Sequence, residues 1–311
     1  MSMTKLKKIE NRYQIYQITR ANPYMFKKDI SAEIDLSRNS VSAYVKEMQE
    51  KQILVGPWLQ LKPSTTHPRY VFLTTFSSPQ KAFNRFKGFP GIISCFQCVG
   101  DWNLLFVTDR LIDFSQLTGH FRTHYYEKRG STWDLLAQPT TWNESLSECD
   151  TWFENPQKVE IPKEEPVRIP WTQNEWKLYW KFRNYLRLII DSALKEISVS
   201  YEEFSIWRKS LEQYSRILTC YYPQGFWTYE AFFFLLKTDQ PEYVASLFQN
   251  LPVTTLITQL EKELLLFLTL PRGEFLLRAL TLFDRLADEN FISSYEFAVL
   301  LQPWRREYDH I

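Results

Sequence analysis

Five short stretches of this 311-residue chain recur at an offset close to 163 residues. Asn11-Arg-Tyr-Gln-Ile-Tyr16 aligns with Asn174-Glu-Trp-Lys-Leu-Tyr179, and Leu36-Ser37-Arg38 with Val199-Ser200-Tyr201. Further along, Phe89-Pro90 aligns with Leu251-Pro252, Leu104-Leu-Phe-Val-Thr108 with Leu265-Leu-Phe-Leu-Thr269, and Leu135-Leu-Ala-Gln-Pro139 with Val299-Leu-Leu-Gln-Pro303. A steady offset over five landmarks implies an internal duplication, so the two halves must share one architecture of about 140 residues each. Between them lie Pro139, Pro156, Pro162, Pro166 and Pro170. Proline blocks helix interiors and central strands, so residues 139–170 are expected to be extended or irregular, held against a domain by Trp142, Trp152 and Phe153.

Within each half the apolar spacing is helical first. Ile9, Tyr13, Tyr16 and Ile18 suit a helix over residues 9–20, ended by Asn22-Pro23. Phe26, Ile30 and Ile34 fall at i, i+4 and i+8 on a second, short helix. Ser37 is placed to cap a third helix that runs to about Lys51 with Val41, Val45 and Met48 facing inward. Residues 53–61 then read as two short strands around Gly56-Pro57, a wing. Beyond the wing the period changes: strand 70–76, helix 79–87, strands 92–99 and 103–108, helix 114–125 and strand 133–137. The second half repeats this over 230–236, 241–249, 254–260, 264–270, 275–286 and 296–301. The order βαββαβ is a ferredoxin-like split βαβ. The expected fold is therefore α+β, two copies of a winged helix-turn-helix followed by a ferredoxin-like domain. The expected boundaries are 1–63 and 64–139, a linker at 140–170, then a second, degenerate helix-turn-helix at 171–226 and a second ferredoxin-like domain at 227–311.

Composition narrows the class. With 44% hydrophobic and 23% charged residues the chain is globular, not disordered or collagen-like. Only 8 glycines, and neither GxGxxG nor GxxxxGK[ST], argue against a phosphate cradle. Apolar runs such as residues 264–268 are too short to cross a bilayer, residues 1–10 lack the apolar stretch of a signal peptide, and four cysteines form no regular framework. A cytoplasmic protein without a membrane partner is expected. Net charge is only +1, but residues 1–70 hold 12 Lys/Arg against 6 Asp/Glu, so the remaining 241 sum to −5. A basic N-terminal module on a mildly acidic body is a common footprint of DNA binding.

The helix capped by Ser37 carries the sharpest chemical signal. In a helix-turn-helix the second helix lies in the major groove and presents its N-terminal residues to base edges. Here the outward positions are Arg38, Asn39, Ser42, Ala43 and Lys46. Arginine pairs bidentately with guanine, asparagine with adenine, and small Ser and Ala allow close approach. Ser37 and the helix N-terminus suit a phosphate of double-stranded DNA. The matching helix in the second half starts Ser200-Tyr-Glu-Glu and places Glu202 and Glu203 where Arg38, Asn39 and Ser40 sit. Two carboxylates there repel phosphates, so the second copy is expected to hold the two halves together or bind a partner.

Leu36-Ser37-Arg38-Asn39-Ser40-Val41 and Ile53-Leu54-Val55-Gly56, followed by the βαββαβ pattern, resemble the leucine-responsive regulator (Lrp/AsnC) family, in two copies over most of the chain. The resemblance implies a sequence-specific transcriptional regulator, with no catalytic residues, metal or cofactor, and thus not an enzyme. It also implies dimers and a small-molecule effector at effector-domain interfaces, here around Gly100, Asp101, Trp102 and Asn103. Because only the first reading helix is free of Glu at its start, a homodimer of the chain is expected, with the Phe- and Leu-rich residues 232–236 either as its contact or as internal core. A divergent branch of the same architecture, the siroheme decarboxylases, supplies the alternative of a tetrapyrrole-metabolism enzyme. Its reaction depends on His, Tyr and Arg side chains, and the comparable cluster here is His120, Arg122, His124, Tyr125 and Tyr126, with both histidines on one face of the helix expected at 114–125. The strand that carries that branch's ligand residues reads Ile93-Ser-Cys-Phe-Gln-Cys-Val99, without His or Arg. On a strand, the spacing of Cys95 and Cys98 puts their sulfurs on opposite faces, as buried small hydrophobes.

Overall fold

The computed structural model describes residues 3–273 and 275–307, with side chains from residue 7 onward. Helices α1 (Met3–Ala21), α2 (Lys27–Glu33) and α3 (Arg38–Glu50) enclose Tyr13, Ile15, Tyr16, Ile30, Val41, Val45 and Met48, as their spacing requires. Helices α6 (Gln173–Phe182), α7 (Ile190–Ile197) and α8 (Tyr201–Tyr214) repeat the arrangement around Leu178, Phe182, Leu194, Phe204 and Trp207. Ser37 and Ser200, paired in the sequence alignment, are the N-caps of α3 and α8.

The wing departs from expectation. Residues 53–61 do not form two short strands around Gly56-Pro57. They form one strand, β1 (Leu54–Leu61), which pairs antiparallel with β7 (Ser215–Tyr221) of the second half, with its irregularity at Val55–Trp58. Leu59 and Leu61 of β1 pack into the core of α6–α8, while Tyr221 of β7 packs into the core of α1–α3. A lone hairpin would leave its apolar face in water. Exchange lets each strand bury it on the other helical unit.

Beyond the helices a single sheet runs in the order β5-β2-β4-β3-β11-β8-β10-β9-β6. Strands β2 (Tyr70–Phe76), β3 (Ile92–Gly100), β4 (Leu104–Thr108) and β5 (His120–Lys128) make the first ferredoxin-like unit, with α4 (Pro79–Phe86) on one face. Strands β8 (Tyr229–Lys237), β9 (Thr255–Gln259), β10 (Glu263–Pro271) and β11 (Ser294–Arg305) make the second, under α9 (Pro241–Leu247) and α10 (Phe275–Asp288). The two four-stranded orders are the same. Each unit's last strand then crosses over: residues 298–305 of β11 pair with β3, and β6 (Thr132–Leu135) pairs with β9. Thus residues 133–137 do not complete the first unit's own sheet. β5 does that, and β6 serves the second unit.

Three further expectations change. Residues 114–125 are not a helix: a 3-10 turn at Phe114–Gln116 leads through Gly119 (φ +85°) into β5. The run His-Phe-Arg-Thr-His-Tyr-Tyr is rich in aromatic and β-branched residues, which suit a pleated surface more than a helix. Phe114 takes the place of the missing helix, stacked at 4.7 Å on Phe106 and edge-on at 5.0 Å to Phe72. The proline-rich segment contains a helix, α5 (Trp142–Trp152), where no proline falls; Thr141 and Glu144 close a capping box, and Trp142, Leu146 and Cys149 bury against the second unit. Finally, residues 232–236 cannot be an intermolecular edge: β8 is hydrogen-bonded on both sides, to β11 and β10. Cys95 and Cys98 do lie on opposite faces of β3, both buried and free, one in each flanking core.

The sheet curls so that its inner face is shared: Val71, Leu73, Cys98 and Leu105 of the first unit meet Phe233, Leu265 and Ala298 of the second. Gly100 guards the junction. It sits at φ +150°, and a Cβ there would lie 2.4 Å from the Phe297 carbonyl oxygen. Gly100→Ala is expected to destabilise the fold by about 2 kcal/mol or more. Urea unfolding would show it as a lower midpoint at unchanged slope; an unchanged midpoint would mean that the β3–β11 junction tolerates displacement.

Candidate nucleic-acid interface and an arginine-lined cavity

In the first helical unit the residues expected to read DNA lie along α3. Ser37 Oγ accepts from Ser40 N at 3.1 Å, which fixes the start of α3. Arg38, Asn39, Ala43 and Lys46 are exposed and Ser42 is half-buried, on the face opposite Val41, Val45 and Met48. Lys46 is held only by Glu50, 3.8 Å away and equally exposed, a pair weak enough to release the ammonium to a phosphate. Behind this face Glu47 ties α1 to α3: Arg12 Nη2 and Lys51 Nζ lie at 2.8 Å and Lys8 Nζ at 3.0 Å from its Oε1.

The second helical unit differs for a physical reason. Glu203 accepts from Ser200 N at 2.9 Å and closes a capping box, and Asn174 Nδ2 donates to it at 2.7 Å. The carboxylate that repels DNA phosphate is used to start the helix. This unit also grips the first: Arg187 donates to the Pro23 carbonyl at 2.8 Å, Gln49 donates to Tyr185 Oη at 2.6 Å, and the Arg208 guanidinium lies 3.9 Å from the Tyr24 ring centre.

The loop after β3 is closed upon itself. Asp101 Oδ2 accepts from Phe297 N at 2.7 Å, and Asn103 both accepts from Phe76 N and donates to Phe76 O at 2.9 Å. Trp102 is buried. Gly100, Asp101, Trp102 and Asn103 therefore help to hold β2, β3, β4 and β11 together. The His120 cluster is dispersed. On β5 the two histidines bond different partners, His124 Nε2 with Thr75 at 2.8 Å and His120 Nε2 with Thr123 at 3.0 Å, while Tyr125 donates to Glu263 at 2.8 Å. Among the described residues no group of three or more His, Cys, Asp or Glu is placed to hold a metal ion.

A second feature was invisible to motif reading. Between the inner face of the sheet and β1 with α6 lies a cavity of about 150 Å³. Arg69, Arg129, Arg183 and Arg305 line it, with Phe96, Phe233 and Phe267 on the sheet side. These arginines come from four separate elements or loops, so no local pattern announces them.

Residues 10–55 match the family model described as winged helix-turn-helix DNA-binding. No curated protein is similar in sequence. Among solved structures, the chain is similar to the siroheme decarboxylase NirDL, at 11% identity and TM-score 0.49, over 96% of this chain and 93% of that one. The same enzyme in co-complex with an iron-uroporphyrin III analogue gives 12% identity and TM-score 0.45, over 94% and 92%. The expectation that the chain is not an enzyme does not stand beside these matches, which are to an enzyme. No helix among the described residues is long and apolar enough to cross a membrane.

Glu47 gives the reading unit a pH signature. Its hydrogen bond from Lys51, followed by those from Arg12 and Lys8, holds the carboxyl at about 2, against a usual value near 4.3. Its stabilisation is thus complete above pH of about 4.5 and is lost as pH falls toward 2. Glu47→Gln is expected to lower the melting temperature at pH 7, by up to about 1 kcal/mol in stability for a pair cluster this close to solvent. The gap to wild type should narrow as pH drops from 4.5 to 2.5; a gap that stays constant would show that the ion cluster is not its source.

Proposed function

We propose that this chain is a sequence-specific, DNA-binding transcriptional regulator of the leucine-responsive type, with α3 as its reading helix and a small molecule as its effector. The observation that supports this most directly is the capped, solvent-facing start of α3, where Arg38, Asn39, Ser42, Ala43 and Lys46 share one surface. The second helical unit, with Glu202 and Glu203 at its start, buttresses the first. One reading head per chain contacts one half-site, so the working species is a homodimer on a palindromic or repeated site.

A second reading, conversion of a carboxylated tetrapyrrole, is supported by the arginines around the cavity, since guanidinium groups are natural carboxylate partners. The dispersed residues of β5 do not add to it. A Soret band that shifts on mixing the protein with a carboxylated tetrapyrrole would favour this reading.

For the regulator, Arg38→Ala is expected to weaken specific binding by about 1–3 kcal/mol, the loss of one bidentate base contact. Lys46→Ala should weaken binding to all sequences alike and reduce the salt dependence by about one phosphate's worth. Gel-shift titrations at fixed salt check both; unchanged affinity in the two variants would remove α3 as the reading helix.

A further inference from the structure

Buried positive charge is concentrated where no acid answers it. Arg69 and Arg183 retain only 6% of their surface, and among the described residues neither they nor Arg129 nor Arg305 has a carboxylate within 4 Å. The nearby acid, Glu164, gives its Oε1 to Arg216 at 2.7 Å and Lys62 at 3.9 Å, while its Oε2 is buried without a hydrogen-bond partner and lies beyond 4 Å of the four arginines. Nε and Nη1 of Arg183 and Nε of Arg129 have no hydrogen-bond acceptor at all. Arg129 is half-buried, and Arg305, which also lines the cavity, is exposed.

A buried, unpaired guanidinium is strongly unfavourable, and the buried Arg69 and Arg183 share their space with the half-buried Arg129 and the exposed Arg305, all of one sign. Burial, with neighbouring arginines adding to it, pulls Arg129 and Arg183 down to about 10. The side chains are nonetheless fixed in place. Arg129 donates to the Leu61 carbonyl at 2.6 Å, the Arg183 guanidinium lies 4.9 Å from the Trp180 ring centre, and that of Arg305 lies 5.3 Å from the Trp58 ring centre. A polar wall already ordered and lacking its counter-charge is the form of a preorganised anion site.

The opposite wall is apolar, built from Phe96, Leu105, Phe233, Leu265 and Phe267. We propose that this cavity binds a compact molecule with an apolar body and two or more carboxylates, each carboxylate taken by the guanidinium fork of Arg69, Arg129, Arg183 or Arg305. A space of about 150 Å³ accommodates a body the size of one aromatic ring. The site lies between the two ferredoxin-like units and against α6, so occupancy bears on how the second helical unit is held. In the regulator reading its occupant is the effector, but the site stands on its own geometry whether or not α3 reads DNA.

Calorimetric titration of the full chain, without DNA, tests this with benzene-1,3,5-tricarboxylate as probe, benzoate as single-charge control and uroporphyrin as a large polycarboxylate. The tricarboxylate is expected to bind one per chain and raise the melting temperature, with benzoate roughly tenfold weaker or more. Arg183→Met and Arg305→Met should each weaken it by roughly tenfold or more without lowering the melting temperature of the ligand-free chain, because Arg183→Met removes an unpaired buried charge and Arg305→Met removes an exposed one. Arg183→Lys, which keeps the charge and loses the fork, should fall between. No binding of the tricarboxylate to the wild-type chain, together with lower ligand-free melting temperatures in the variants, would overturn the proposal and make the arginines structural. Binding of uroporphyrin but not of the tricarboxylate would overturn the compact ligand. DNA binding, measured separately, is untouched by either result.

Discussion

The reciprocal exchange of last strands, β11 onto β3 and β6 onto β9, is the interaction from which the rest of the molecule follows. A four-stranded sheet covered on one face has an apolar second face and open edges, both costly in water. Here the exchange joins two such sheets edge to edge by main-chain hydrogen bonds and curls them until their bare faces meet. Glycine at position 100 is part of that solution, since any side chain would strike the Phe297 carbonyl. The same logic recurs among the helices, where β1 and β7 exchange and each strand buries itself on the other half's helical unit. Two exchanges in series fix both helical units on one frame.

Within that frame the two helical units differ more in charge than in shape. Ser37 and Ser200 start equivalent helices, but one start is left open to a phosphate and the other is closed by Glu203. The first unit keeps its basic side chains outward. The second places Arg187 and Arg208 against the first. The first ferredoxin-like unit has also lost a helix, whose volume Phe114 fills.

The sandwich interior is where packing and electrostatics disagree. Hydrophobic burial accounts for Phe233, Leu265 and Leu105, yet the same space admits four arginines with no acids. A fold selected for stability alone would replace them with apolar residues of similar volume.

Much of this was legible from the chain itself. Periodicity located α1, α2 and α3 and their inward residues, because an amphipathic helix records its own burial locally. The 163-residue offset carried the paired caps at Ser37 and Ser200 and the repeated strand order. Proline density concealed α5, since the prolines flank the helix and its Thr141–Glu144 box was read as linker. Residues 114–125 misled because aromatic residues satisfy a helical period and a strand period alike over so short a run. What the sequence determined by itself is therefore local: helices, caps, strands and the basic face of α3. Which strand each strand pairs with, and which arginines surround one cavity, was decided only in the tertiary structure. Pairing depends on edges and faces that exist only once the sheets have formed, and Arg69, Arg129, Arg183 and Arg305 become one site only when distant segments converge.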